Sequence, residues 1–228
     1  MHRTEPLAAL VLASARCAVI LARVSSDWHA DVELLEAWRT GDQRAGMRLY
    51  DRHADAVARF FENKVRESAD DLIQQTFLRV VESRERIREG IALRGFILGV
   101  CRNVLREHLR SLSRKREIDP EVDSMAELAP GPTTMVGRSR EHRLLLEGLR
   151  RLPVEHQVAL ELYYWEGLNA AQIADIMAIS HSAMRSRMTK ARALLREAMT
   201  EISTSQELLE STVNGLDKWA AQLREGNR

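Results

Sequence analysis

The sequence predicts an all-α protein: two small helical domains joined by an acidic flexible linker, the second a helix-turn-helix domain. Three observations carry this. The 228 residues include only 11 Gly and 5 Pro, while 29% are charged and 5% aromatic, the profile of a helical soluble chain. From Asp31 onward apolar residues recur at intervals of three and four, the period of one helix face. Between residues 117 and 137 that pattern gives way to acids and helix breakers.

The first domain spans 31–116. Leu34, Leu35 and Trp38 form an apolar patch that Thr40-Gly41-Asp42 ends. Met47, Leu49, Tyr50, Val57, Phe60 and Phe61 belong to a second helical stretch. A third runs from about Ser68 to Ser83, with Leu72, Ile73, Thr76, Phe77 and Val80 at helical spacing. Asp70 and Asp71 stand in its first turn, where the helix dipole favours acids. A fourth begins near Leu93 and passes Phe96, Ile97, Val100, Cys101, Val104, Leu105 and Leu109.

The linker, 117–137, carries Glu117, Asp119, Glu121, Asp123 and Glu127 with no basic residue. Pro120, Pro130, Pro132, Gly131 and Gly137 break regular structure there. The second domain, 138–202, opens with a helix that stops before Pro153. A second helix covers 153–166 and Gly167 ends it. Residues 169–178 form a short helix, and Ser180 is a natural N-cap for the next one. Two short helices joined this tightly, the second basic and polar outward, make a helix-turn-helix.

That second helix lies in "SHSAMRSRMTKARALL" (180–195). From His181 to Arg192 it holds four basic residues and no acid, although the whole chain has 34 Lys+Arg against 33 Asp+Glu. Met184, Met188, Ala191 and Leu195 share one face and mark the buried seam. Two readings fit such a run: a solvated basic face, or a docking surface for something negative.

Composition also bounds function. A net charge of +1 gives no global case for a nucleic-acid binder, so any such case rests on local patches. Cys17 and Cys101 have no His or Cys at metal-ligand spacing and read as reduced cytosolic thiols. No Gly-rich phosphate loop occurs, and the scattered histidines form no catalytic order. No cofactor, no metal and no enzymatic activity are expected. Residues 1–30 form an N-terminal extension whose apolar stretch, interrupted by Arg16 and Arg23, is too short to span a bilayer. It reads as an extra helix, a disordered or misassigned start, or an export signal. Residues 203–228 form a C-terminal amphipathic helix with Leu209, Val213, Leu216, Trp219 (or Ala220) and Leu223 on one face. It either packs on its own domain or serves as a partner-binding or autoinhibitory tail.

Taken in order, "DDLIQQTFLRVV", "RGFILGVCRNVLREHLR", the acidic linker and "LRRLPVEHQVALELYYWEGLNAAQIADIMAISHSAMRSRMTKARALLRE" resemble bacterial RNA polymerase sigma factors of the small, two-domain, extracytoplasmic-function type. The resemblance covers about 31–200. It implies that the first domain binds core polymerase and reads and melts the minus-ten element, and that the second reads the minus-thirty-five element. Asp71, Gln74, Gln75, Phe77 and Leu78 would grip the coiled coil of the largest polymerase subunit. The family usually has Glu where Gln75 stands and Trp where Val81 stands. Arg94, Phe96, Arg102, Asn103, Arg106 and Arg110 would serve the minus-ten region, with Phe96 where the family usually has Trp. The linker would run through the polymerase cleft toward the RNA exit path. Implied partners are polymerase core (coiled coil and flap), promoter DNA and an anti-sigma factor, in the cytoplasm and without membrane insertion.

Physical chemistry agrees with these roles. From Arg102 to Arg116 six basic residues stand against Glu107 alone, a surface able to hold the backbone of a displaced strand. On the recognition helix Ser182, Arg185, Ser186 and Thr189 face away from the seam toward base edges. Arg187, Lys190 and Arg192 are placed for phosphates. The family turn often has Gly where Ala178 stands; Gly suits a positive φ that Ala adopts at a cost. The alternative function is a stand-alone helix-turn-helix regulator with a helical N-terminal sensor domain.

Overall fold

The computed structural model describes residues 29–87, 93–112, 118–128 and 139–225. The apolar N-terminal stretch, the basic run 114–116 and the proline-rich end of the linker lie outside the described residues, as do the side chains of Trp219 and Leu223.

Helical backbone over 29–39 (α1) is followed by α2 (Gln43–Glu62), α3 (Ala69–Ser83) and α4 (Leu93–Leu112). Then come α5 (Met125–Leu128), α6 (Arg140–Arg150), α7 (Val154–Tyr164), α8 (Ala170–Met177), α9 (His181–Ile202) and α10 (Gln206–Glu225). Among the described residues no strand forms; one isolated bridge joins Ser124 and Pro153.

The chain divides into two compact units. Of the described residues, one unit holds those up to Arg52 together with those between Ser83 and Leu93; the other holds His53–Glu82 and those from Arg94 onward. The division therefore does not fall at the acidic linker. In the first unit Trp38 of α1 is buried against α2. A Cβ on Gly46 would lie 2.6 Å from the Trp38 indole nitrogen, so only glycine permits this approach. Arg39 donates to the backbone carbonyls of Arg84 and Ile87, and Arg52 pairs with Asp31 at 2.8 Å.

In the second unit Phe60, Phe61, Leu72, Val80, Ile97, Leu98, Leu105 and Leu109 are buried. Each such side chain contributes about 1.5–3 kcal/mol on leaving water. Thr76 is fully buried and satisfies its hydroxyl by donating to the Leu72 carbonyl at 2.8 Å. Cys101 is buried too, and burial pushes its thiol pKa up to about 12; it is an inert core residue. Cys17 lies outside the described residues.

The part of the linker that is described, 118–128, is seated rather than free. Pro153 occupies the N-cap of α7 and offers no side-chain cap, leaving the first backbone N–H groups of that helix to be satisfied elsewhere. The linker supplies the acceptors: Val154 donates to the Asp123 carbonyl and Glu155 to the Pro120 carbonyl, each at 3.0 Å. Asp119 and Asp123 close the linker on itself, and Met125 is fully buried.

α6 and α9 cross so closely that a Cβ on Gly148 would meet Met199 Cγ at 2.7 Å. α10 packs against α6, α7 and α9. Leu209 and Thr212 are buried, and Leu216 lines a small cavity with Leu145, Leu149, Leu160 and Leu195. Over 206–216 the C-terminal helix thus packs on its own domain, the first of the two readings of its amphipathic pattern.

Candidate nucleic-acid interface

The short helix α8 is well capped. Asn169 accepts from the N–H groups of Ala171 and Gln172, and the Gln172 side chain accepts from the Asn169 N–H, a reciprocal capping box. α8 ends on Ala178, at φ 54° and ψ 44°, the sole non-glycine residue with positive φ among the described residues. Ser180 then caps α9 by accepting from the Ala183 N–H at 3.1 Å.

The Ala178 turn can be tested directly. Holding an L-residue in the left-handed region costs about 1–2 kcal/mol, and the extra freedom of glycine when unfolded returns about 0.4–1 kcal/mol of that. Ala178→Gly should therefore stabilise the chain by about 0.5–1 kcal/mol, raising Tm by about 1–4 °C. A melt monitored by circular dichroism that shows no rise would mean the turn is unstrained.

The seam of α9 is continuous: Met184, Met188, Ala191, Leu195 and Met199 are each 4% exposed or less. Ser182, Arg185, Ser186, Thr189 and Lys190 are exposed on the other side. Ser182 shares a hydrogen bond with Ser180, and Thr189 donates back to the Arg185 carbonyl. Two of the cations expected at phosphates are already engaged. Arg187 is half-buried and donates to both oxygens of Glu121 at 2.7 and 2.9 Å. The Arg192 guanidinium sits 5.0 Å from the Tyr163 ring centroid and donates to the Tyr164 hydroxyl.

α4 divides its residues in the same way. Asn103 and Arg110 are exposed, and Phe96 is half-buried. Arg102 is buried and makes a two-pronged ion pair with Glu155 at 2.9 and 3.0 Å. Arg106 approaches the same carboxylate at 3.8 Å, and Arg94 pairs with Glu166. On α3, Asp71, Gln74, Gln75 and Leu78 are exposed along one stripe, with Phe77 half-buried beside them. Arg79, near this stripe, chelates Glu107 of α4; that bond lowers the glutamate pKa and raises that of the arginine.

Of the acids that meet these arginines, Glu107 and Glu121 were named from the sequence, whereas Glu155 and Glu166 were not. Glu155, Glu161 and Glu166 lie in or just after α7. Glu161 holds the fully buried Lys64 ammonium and accepts from Gln157 at 2.9 Å. Glu166 pairs with Arg59 at 3.3 Å as well as with Arg94. Arg150 donates to the carbonyls of Asn63 and Met125, and burial lowers its pKa. His156 is buried beside Glu155, and its pKa is lowered by burial first and then by Arg187 and Lys190. One signal could have found this group. Every residue from Val154 to Leu162 is buried, and Val154, Val158, Ala159, Leu160 and Leu162 point to different sides of that helix, which implies cover on all sides. Acids on such a helix need cations brought to them.

Residues 49–115 match the family model described as Sigma-70 region 2, and residues 142–195 match Sigma-70, region 4. The chain is 31% identical over 170 residues to RNA polymerase sigma factor CarQ of Myxococcus xanthus, covering 74% of this chain and 97% of that protein. It is 26% identical over 189 residues to ECF RNA polymerase sigma factor SigL of Mycobacterium tuberculosis, covering 82% of this chain and 100% of that one. Among solved structures, the complex of sigma factor RpoE with the anti-sigma factor NepR from Bartonella quintana superposes with a TM-score of 0.53 at 18% identity, over 69% of this chain and 98% of that one; this is a likeness of fold.

Proposed function

The chain belongs to the extracytoplasmic-function group of sigma-70-like RNA polymerase sigma factors, which direct promoter-specific initiation, and from that membership we propose how its residues share the work. Segment 31–116 binds core polymerase and opens the minus-ten element. Segment 138–202 reads the minus-thirty-five element, with 117–137 between them and 203–228 as added support. The stripe of Asp71, Gln74, Gln75, Phe77 and Leu78 docks on the coiled coil of the largest subunit. Arg94, Phe96, Arg102, Asn103, Arg106 and Arg110 serve the melted strand. Ser182, Arg185, Ser186 and Thr189 meet base edges, while Arg187 and Lys190 hold phosphates.

The observation that supports this reading best is the shape of α9. A continuous buried seam fixes the helix in its domain, and the opposite side offers short polar and basic side chains, the type that enters a major groove. The polymerase supplies the catalysis. Among the described residues no helix is long and apolar enough to cross a membrane, and we place the chain in the cytoplasm with its polymerase. A stand-alone regulator is not favoured, because it leaves the region 2 match at 49–115 without a role.

Transcription in vitro with core polymerase on genomic fragments, followed by mapping of start sites, tests the reading. Core plus chain should initiate where core alone does not; failure of the two to co-migrate on gel filtration would refute it. On a mapped promoter Arg185→Ala should change discrimination at one base pair by about 1–3 kcal/mol. Lys190→Ala should weaken all sequences alike and reduce the salt dependence by about one ion. Equal losses on all promoters for Arg185→Ala would remove it from base readout.

A further inference from the structure

The buried carboxylate of Glu155 gathers guanidinium groups from two separate parts of the chain. Arg102 of α4 binds both of its oxygens, Arg106 of α4 stands at 3.8 Å, and Arg187 of α9 reaches it at 3.8 Å while held by Glu121 of the linker. Arg102 and Arg106 belong to the proposed minus-ten surface, and Arg187 to the proposed minus-thirty-five surface. Glu166 ties Arg94 of the same minus-ten set. A carboxylate that accepts two parallel guanidinium hydrogen bonds offers arginine the same fork that phosphate does. While Glu155 holds it, the Arg102 fork is spent on a carboxylate, and the charges of Arg106 and Arg187 are drawn to the same group rather than to a DNA backbone.

We propose that Glu155 is a phosphate-mimicking latch, built into the chain, that keeps Arg102, Arg106 and Arg187 from nucleic acid until the helices part. This rests on the assignment of those arginines to promoter DNA. The contact is suited to reversal. Desolvating a carboxylate and its cations nearly cancels their mutual attraction, so a buried ion pair holds with a small net margin. A polyanion competes for the same guanidinium groups, and the released Glu155 regains its water. An apolar contact of the same extent would offer no such exchange. Glu121 adds a second acid on Arg187, which gives the acidic linker a role in the closed arrangement.

The test uses the full chain without polymerase and an oligothymidylate of about 20 nucleotides, the sequence-neutral probe for a strand-holding surface. Glu155→Gln keeps the side-chain shape and removes the charge. Its affinity should rise about tenfold or more, and log K against log salt should steepen by about 1.4, since Arg102 and Arg106, the two that serve a single strand, each gain a phosphate that contributes about 0.7. A folded Glu155→Gln chain with unchanged affinity and slope overturns the latch. Should that variant unfold, the unsubstituted binding surface decides the matter. Spin labels at exposed positions 111 and 200, with Cys17 replaced by serine and Cys101 buried, should move apart when the oligonucleotide binds. Binding with an unchanged distance overturns the latch equally. Core-dependent initiation by the unaltered chain, run alongside, separates the two ideas. Initiation with a failed latch test leaves the function standing, whereas absent initiation removes the function itself.

Discussion

Leu78→Glu should abolish association with RNA polymerase core while leaving the fold intact. Leu78 is 55% exposed on α3 and Val81, on the same side, 41%. Asp71, Gln74 and Gln75 complete the stripe. A polar substitution at so exposed a helix position changes stability by about 0.5 kcal/mol or less. At the centre of an interface the same substitution removes an apolar anchor and buries a carboxylate. Anchors of that kind carry about 2–4 kcal/mol, a loss of about thirtyfold or more in affinity. Gel filtration with core, together with a thermal melt of the free chain, separates the two effects. Undiminished co-migration with an unchanged Tm would move the docking face off α3. With Gln75 and Val81 where the family usually has Glu and Trp, and Phe77 half-buried, Leu78 is the most exposed apolar group in this stripe and so the position of greatest expected effect.

Glu161→Leu should be the most damaging single change to stability. It leaves the Lys64 ammonium, 0% exposed, beside the Phe60 ring at 4.1 Å and the Phe60 carbonyl at 2.6 Å, without its counter-charge. Removing one partner of a buried pair costs about 3–5 kcal/mol, or about 6–20 °C in Tm for a chain of this size. Adding Lys64→Met should recover most of the loss, because an apolar pair of similar volume has no charge to desolvate. Urea unfolding of the two single variants and the double variant forms a cycle that isolates the pair. A single-variant cost below about 1 kcal/mol would show that the pair is solvated, and hence that Lys64 and Glu161 are apart in solution.

Much of the architecture was legible beforehand because its causes are local. The seam of α9 follows from the three-four spacing of Met184, Met188, Ala191 and Leu195. The Ser180 cap follows from side-chain chemistry within a few residues, whereas the turn at Ala178 was suggested by the glycine that the family often has there. The exposed stripe of α3 and the exposed Ser182, Arg185 and Ser186 are the other faces of the same periodicity. The linker was harder to read. Its acids and prolines suggest an open tether, but the uncapped start of α7 behind Pro153 needs acceptors, and the carbonyls of Pro120 and Asp123 provide them.

What the sequence determined by itself was the set of helices apart from the short α5 in the linker, the side each one buries and the family to which their order belongs, since helical period and capping act over one or two turns. Only the tertiary structure decided which charges meet. Arg102 and Glu155 are 53 positions apart, Lys64 and Glu161 are 97, and Arg187 and Glu121 are 66. Any arginine in a sequence this rich in charge has many acids it could pair with. The choice is made where packing excludes water, because only there does an unpaired charge cost enough to dictate its partner.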